Sequence, residues 1–116
     1  MTETNLKRYV VYFMIPYASM QEWEKTDAKT KELDEKKMME EWQAWSEAHA
    51  NMIIKHYIAG KTKLITLGKV TEHKNDIGVY SYVQGESHDA IAKEYTNHPH
   101  LQIPGSTIEI MEVMDM

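Results

Sequence analysis

Residues 8–15, RYVVYFMI, are β-branched, aromatic or aliphatic at every position after Arg8, and Pro16 then lacks the N–H that a continuing ladder needs. This predicts a first strand. Alternation places Tyr9, Val11, Phe13 and Ile15 on one face and Val10, Tyr12 and Met14 on the other, so both faces of the strand are apolar. Ser19 followed by Glu22 has the spacing of a capping box for a short helical turn carrying Met20 and Trp23. Residues 24–37, EKTDAKTKELDEKK, alternate charge sign densely. They read as a solvated helix face with i,i+4 pairs such as Asp27 with Lys31 and Glu32 with Lys36. Met38, Trp42, Trp45, His49, Met52 and His56 then recur at intervals of three and four, which predicts one apolar stripe of an amphipathic helix, stopped at Gly60 after an irregular HYIA turn.

Residues 62–72, TKLITLGKVTE, alternate loosely around Gly68 and predict a second strand with a bulge, followed by a turn at HKND. The third strand is expected at 77–84, with Val79, Ser81 and Val83 on one side and Tyr80 and Tyr82 on the other, and Gly85 closes it. Ser87 is an N-cap with Asp89 in the first turn of a second helix, whose inner face carries Ile91, Tyr95 and His98. Pro99 pushes His98 out of helical geometry and ends that helix near Asn97. Pro104 and Gly105 suit a type II turn, and 106–114 form the last strand.

The resulting order, strand, helix, strand, strand, helix, strand, is an α+β chain with the split βαβ arrangement (βαββαβ) of ferredoxin-like domains and an antiparallel sheet. Helices cover only one face of such a sheet. The other face would present Val10, Tyr12, Tyr80 and Tyr82 to water, with Glu109 among them, so a second copy is expected to cover it and form a two-fold homodimer.

At 116 residues the chain fits one domain, 1–116, with a single core. Its 13 Lys and Arg against 18 acids, a net charge of −5, carry no basic cluster for phosphate neutralisation, so nucleic acid is not an expected partner. The absence of cysteine excludes disulfides, a thiol nucleophile and thiolate metal ligation. Pro16 interrupts the first apolar run and no cleavage site follows it. Neither a signal peptide nor a membrane span is expected, and the cytoplasm is the default location.

The ordered set Trp42 and Trp45, Gly60, Tyr80 with Ser81, Ala90, His98 with Pro99, and Ile108, Glu109 and Glu112 resembles the YCII-related family of dimeric α+β barrel proteins. The likeness spans most of residues 38–116 together with the first strand. It implies a ferredoxin-like domain forming a dimeric barrel, in a wider superfamily whose enzymes act on small, often aromatic or lactone-type molecules. Some branches use a His and Asp pair. Here the pattern departs from theirs: His98-Pro99 stands where those branches have Asp-Pro, and the long helix offers no counterpart to their histidine, so that dyad is not carried over.

His98, an inner-face imidazole beside Tyr95, is the candidate general acid or base, because its reference pKa of about 6.5 lies near neutrality. The competing role is structural, satisfying backbone groups at a helix end. Trp42, Trp45, His49, Tyr80 and His100 are the candidate substrate-binding residues, with the tryptophans as an apolar or stacking wall. His98 and His100 are two potential ligands but not a metal site. A third from His49, His56, His73 or His88 would have to arrive through folding, and neither a metal nor a cofactor is expected. Residues 60–63, GKTK, fail as a phosphate loop because Lys55 stands where a glycine is required and the element order is reversed. No glycine-flanked serine elbow occurs, and neither Ser46 nor Ser81 is expected at a strand-to-helix corner. Two readings of function follow: an enzyme acting on a small molecule between helix stripe and sheet, or a ligand-binding or protein-interaction module without catalysis.

Overall fold

The centre of the molecule, a computed structural model describing residues 6–116, is strand β1 (Lys7–Met14), flanked on both sides by antiparallel neighbours. One neighbour is β5 (Ile77–Gly85) and the other is β6 (Thr107–Glu112); β2 (Ile53–Ile58) adds to the far edge of β5, giving the order β2-β5-β1-β6. Register places Tyr9 opposite Val83, Val11 opposite Ser81 and Ile110, and Phe13 opposite Val79 and Ile108, so these residues share one face. Helices α2 (Ala28–Ala48) and α3 (His88–Glu94) cover that face. Tyr9, Val11, Phe13, Val83, Ile91 and Tyr95 form the core there, with Trp42, Trp45 and Ile53 packed against it. Each fully buried aliphatic or aromatic side chain of this kind contributes roughly 1.5–3 kcal/mol.

Several local predictions hold. Ser87 Oγ accepts from the Ala90 amide at 3.1 Å and starts α3. Pro104 and Gly105 form a type II turn, with Gly105 at φ 77° and the Ser106 amide bonded to the Ile103 carbonyl at 3.0 Å. The charged stretch does form the solvated first half of α2. Its start is the Asp27 cap, whose carboxylate accepts from the Thr30 amide at 2.8 Å and the Thr30 hydroxyl at 2.9 Å, and the expected pairs of Asp27 with Lys31 and Glu32 with Lys36 do not form. Ser19 does not cap α1 (Tyr17–Glu24) either. It lies inside that helix, and its hydroxyl donates to the Pro104 carbonyl at 2.5 Å, tying α1 to the turn before β6.

The largest departure concerns the stripe. The helix stops at Ala48, with His49 at φ −118° and ψ 24°, and Ile53–Ile58 is a strand rather than the continuation of a helix. The physical reason is pairing. Ile53, Tyr57 and Ile58 are β-branched or aromatic, and the open edge of β5 offers them a ladder that an isolated helical turn cannot match. Residues 62–72, expected as a strand of the main sheet, instead form a separate hairpin of β3 (Thr62–Thr66) and β4 (Lys69–His73). Gly68 takes φ 73° at its turn rather than forming a bulge.

Among the described residues no helix covers the second sheet face. Tyr57, Tyr80 and Tyr82 cluster there, Tyr57 stacked on Tyr80 with ring centroids 5.2 Å apart, while Tyr12 lies between Tyr80 and Glu109. Tyr82 is 42% exposed and Met111 53% exposed. The radius of gyration is 16.6 Å, against about 13 Å for a rounded domain of this length. The shape is flat and extended: 56 × 44 × 19 Å. Among the described residues no helix is long and apolar enough to cross a membrane.

Candidate functional site

Pro99 opens a 3-10 turn (Pro99–Gln102) and holds His98 extended at φ −64° and ψ 139°, which drives its ring beneath α2. The ring is 1% exposed and enclosed by aromatic neighbours. Trp42 and Trp45 approach it with centroids at 4.5 Å, Phe13 at 5.0 Å and Tyr95 at 5.7 Å. Nδ1 of His98 accepts from the His100 amide at 3.0 Å, so the neutral ring carries its proton on Nε2. Among the described residues that Nε2 has no hydrogen-bond partner. Burial, reinforced by repulsion from His100, His56 and His49, holds the pKa of His98 down at about 3, so the imidazole stays neutral at physiological pH. An enclosed N–H without an acceptor costs about 1–3 kcal/mol.

His56 lies beside this box, 6.0 Å from Trp42 by ring centroids. It sits opposite Ser81 across the β2–β5 ladder, and its Nδ1 bonds to the fully buried Ser81 hydroxyl. Its Nε2 lies 3.2 Å from the Ser46 hydroxyl on α2. A neutral imidazole has one donor and one acceptor nitrogen, so one serine hydroxyl donates to the ring and the other accepts from it. Burial pushes the pKa of His56 down, which preserves that neutral form. Ser46 and His56 are both partly exposed, at the gap between the end of α2 and edge strand β2.

The remaining candidates divide between the two faces. His49 ends α2, stacks on Trp45 at 3.9 Å, donates through Nδ1 to the Trp45 carbonyl at 2.7 Å and meets Glu94 through Nε2 at 3.1 Å. His100 is buried beside Phe13 and donates from Nε2 to the Met14 carbonyl at 3.0 Å, tying the turn to the end of β1. Burial lowers its pKa, partly offset by that carbonyl. Tyr80 is on the opposite sheet face, stacked on Tyr57, and cannot share a pocket with His98: alternation along β5 points it away from Ser81.

His98 Nδ1 is taken by a backbone amide and His100 Nε2 by the Met14 carbonyl. Among the described residues no three His, Asp or Glu side chains are grouped to hold a metal. Two open grooves also mark the surface, one at the hairpin base and one between α1 and α2, and neither is lined by His98, His56, Trp42 or Trp45.

The Ser46–His56–Ser81 chain is absent from the sequence-derived set of candidates. The available signal is IIKHYI, a β-rich run; read as a strand paired with the one containing Ser81, it aligns His56 with that serine. Compared with protein-family models and with curated proteins, the chain matches none of them.

Proposed function

We propose that the chain is a YCII-related, ferredoxin-like domain that pairs its uncovered sheet face with a second copy in a dimeric α+β barrel and handles a small planar molecule at His98. The strand order β2-β5-β1-β6, with α2 between β1 and β2 and α3 between β5 and β6, supports the ferredoxin-like reading. The exposed tyrosine cluster supports the pairing. A cytoplasmic setting belongs to the same proposal.

The observation that carries the ligand reading is the unpartnered Nε2–H of His98 inside an aromatic box. Those rings pack on the imidazole itself, so its one fixed donor is the recognition element; it suits a carbonyl or similar acceptor, which the aromatic or lactone-type molecules implied by the family resemblance would offer. His56, neutral and hydrogen-bonded to two hydroxyls, is the group placed to move a proton to or from such a molecule. His98 acts as donor only, since its Nδ1 lone pair is occupied.

A non-catalytic binding module is the second reading. The same occupied lone pair favours it, together with the absence of a described carboxylate bonded to His98 or His56.

A thermal-shift screen of planar carbonyl compounds tests both readings. A ligand at one hundred times its Kd adds about 2.7 kcal/mol of stability. His98→Phe keeps a ring in the box and removes the donor, and roughly tenfold weaker binding is expected. Unchanged affinity in that variant removes His98 from the site. Turnover lost in His56→Ala with binding retained selects the enzyme, whereas binding with no turnover in the unaltered protein selects the module.

A further inference from the structure

Among the described residues the β3–β4 hairpin packs on no other helix or strand to an appreciable extent. A two-stranded hairpin alone in water is marginally stable at best, so this one needs a surface. Register puts Ile65 opposite Val70 on one face, with Lys63 and Glu72 paired beside them and Leu67 at the tip. Ile65 is 73% exposed and Leu67 is fully exposed. Residues 61–74 carry four lysines (61, 63, 69 and 74) against Glu72 alone. The hairpin is thus an apolar finger with basic flanks.

The groove between α1 and α2 has the opposite character. Its volume is about 1030 Å³, and its walls include Met20, Trp23, Met38, Met39, Ile103 and Pro104. Four acids border it, Glu22, Asp34, Glu35 and Glu41, against Lys37. Lys25 pairs with Glu22 and Lys37 with Glu41, while among the described residues Asp34 and Glu35 have no ion-pair partner. Met39 is 72% exposed on this wall. The groove therefore joins exposed apolar side chains to a rim on which acids outnumber lysines.

We propose that the hairpin of one protomer seats in the α1–α2 groove of a second copy of this chain. Ile65, Val70 and Leu67 enter the apolar floor while Lys69, and Lys63 in exchange for its Glu72 partner, face Asp34 and Glu35. The charge match selects this occupant: a finger with excess lysines meets a groove with excess carboxylates, both on the same polypeptide. Under two-fold symmetry the exchange is reciprocal and each association makes the contact twice. The groove lies among the helices, so the contact is separate from pairing of the sheet faces.

Because the chain lacks cysteine, single substitutions give unique thiols. Ile65→Cys and Met39→Cys proteins, both altered at exposed positions, are mixed under mild oxidation and the disulfide-linked heterodimer is quantified by mass. The expected yield is at least about tenfold above that of Ile65→Cys mixed with Lys93→Cys, whose thiol lies on α3. In the same assay Asp34→Lys with Glu35→Lys on the Met39→Cys protein reduces the yield, and Lys63→Glu with Lys69→Glu on the Ile65→Cys protein restores it. A yield equal to the control pair, or one indifferent to the reversal and its compensation, overturns the proposal. The cross-link is expected to persist in a Tyr82→Arg background, so failure of the hairpin contact and failure of face-to-face pairing are read separately.

Discussion

His98 shows how a single residue type acquires a character its sequence context only half determines. Pro99 dictates that His98 leaves the helix, and the inner-face spacing from Ile91 and Tyr95 dictates that it is buried, but neither dictates which ring nitrogen remains without a partner. That depends on the His100 amide reaching Nδ1. The consequence for stability has a definite sign. The unfolded imidazole takes up a proton near pH 6.5, whereas the folded one does so only near pH 3, so in that window the unfolded state binds more protons. Stability is complete above about pH 6.5 and falls toward pH 3, with a limiting slope of about 1.4 kcal/mol per pH unit for this one group. Urea titrations between pH 7 and 4 should show this loss, and His98→Phe should flatten its slope. An unaltered slope in the variant assigns the pH dependence to other groups.

Among the elements, β5 and α3 illustrate a contact that the chain order alone cannot reveal. Gly85 ends β5, and a Cβ built there would collide with Ile91 Cδ1 and lie 2.7 Å from Cγ1, although Gly85 has no need of a left-handed φ. Ile91 is 2% exposed and has little room to retreat. Gly85→Ala should therefore destabilise the fold by about 1–3 kcal/mol in denaturant unfolding, and Ile91→Val, which removes Cδ1, should recover part of that loss. Equal stability of Gly85→Ala and the unaltered protein would mean that α3 shifts freely. The end of α2 shows the reverse problem: Met38, Trp42 and Trp45 are helical in pattern and in fact, but His49, Met52 and His56 continue the rhythm without the helix. A three-and-four spacing in a short run is compatible with either state, and the partner strand decides.

For the whole molecule, the controlling feature is a sheet covered on one side only. Tyr57, Tyr80 and Tyr82 form an aromatic cluster on the open side, Tyr57 stacked on Tyr80 and Tyr82 edge-on to both, with Met111 opposite Val10 extending it. If two copies pair through this face, Tyr82→Arg inserts a charge into their contact and should weaken association by at least about 2 kcal/mol, roughly 30-fold, while leaving the helix-covered core intact. Sedimentation over a concentration series measures it. A stable single subunit at micromolar concentration in the unaltered protein would rule out the pairing itself.

The amino-acid pattern by itself determined β1, β5, α3 and β6, both faces of β1, the inward placement of His98 and the turn at Pro104 and Gly105, because each is set by alternation, capping or fixed dihedrals within a few residues. It also set Trp42, Trp45 and His98 around one expected pocket between the helix stripe and the sheet. Tertiary structure alone decided that 53–58 closes the sheet edge, that 62–73 stands apart as a hairpin, and that His56 meets Ser81 and Ser46. Those outcomes arise from strand pairing across long sequence separations, where hydrogen bonds to a distant edge outweigh the weak local preference of an ambiguous segment.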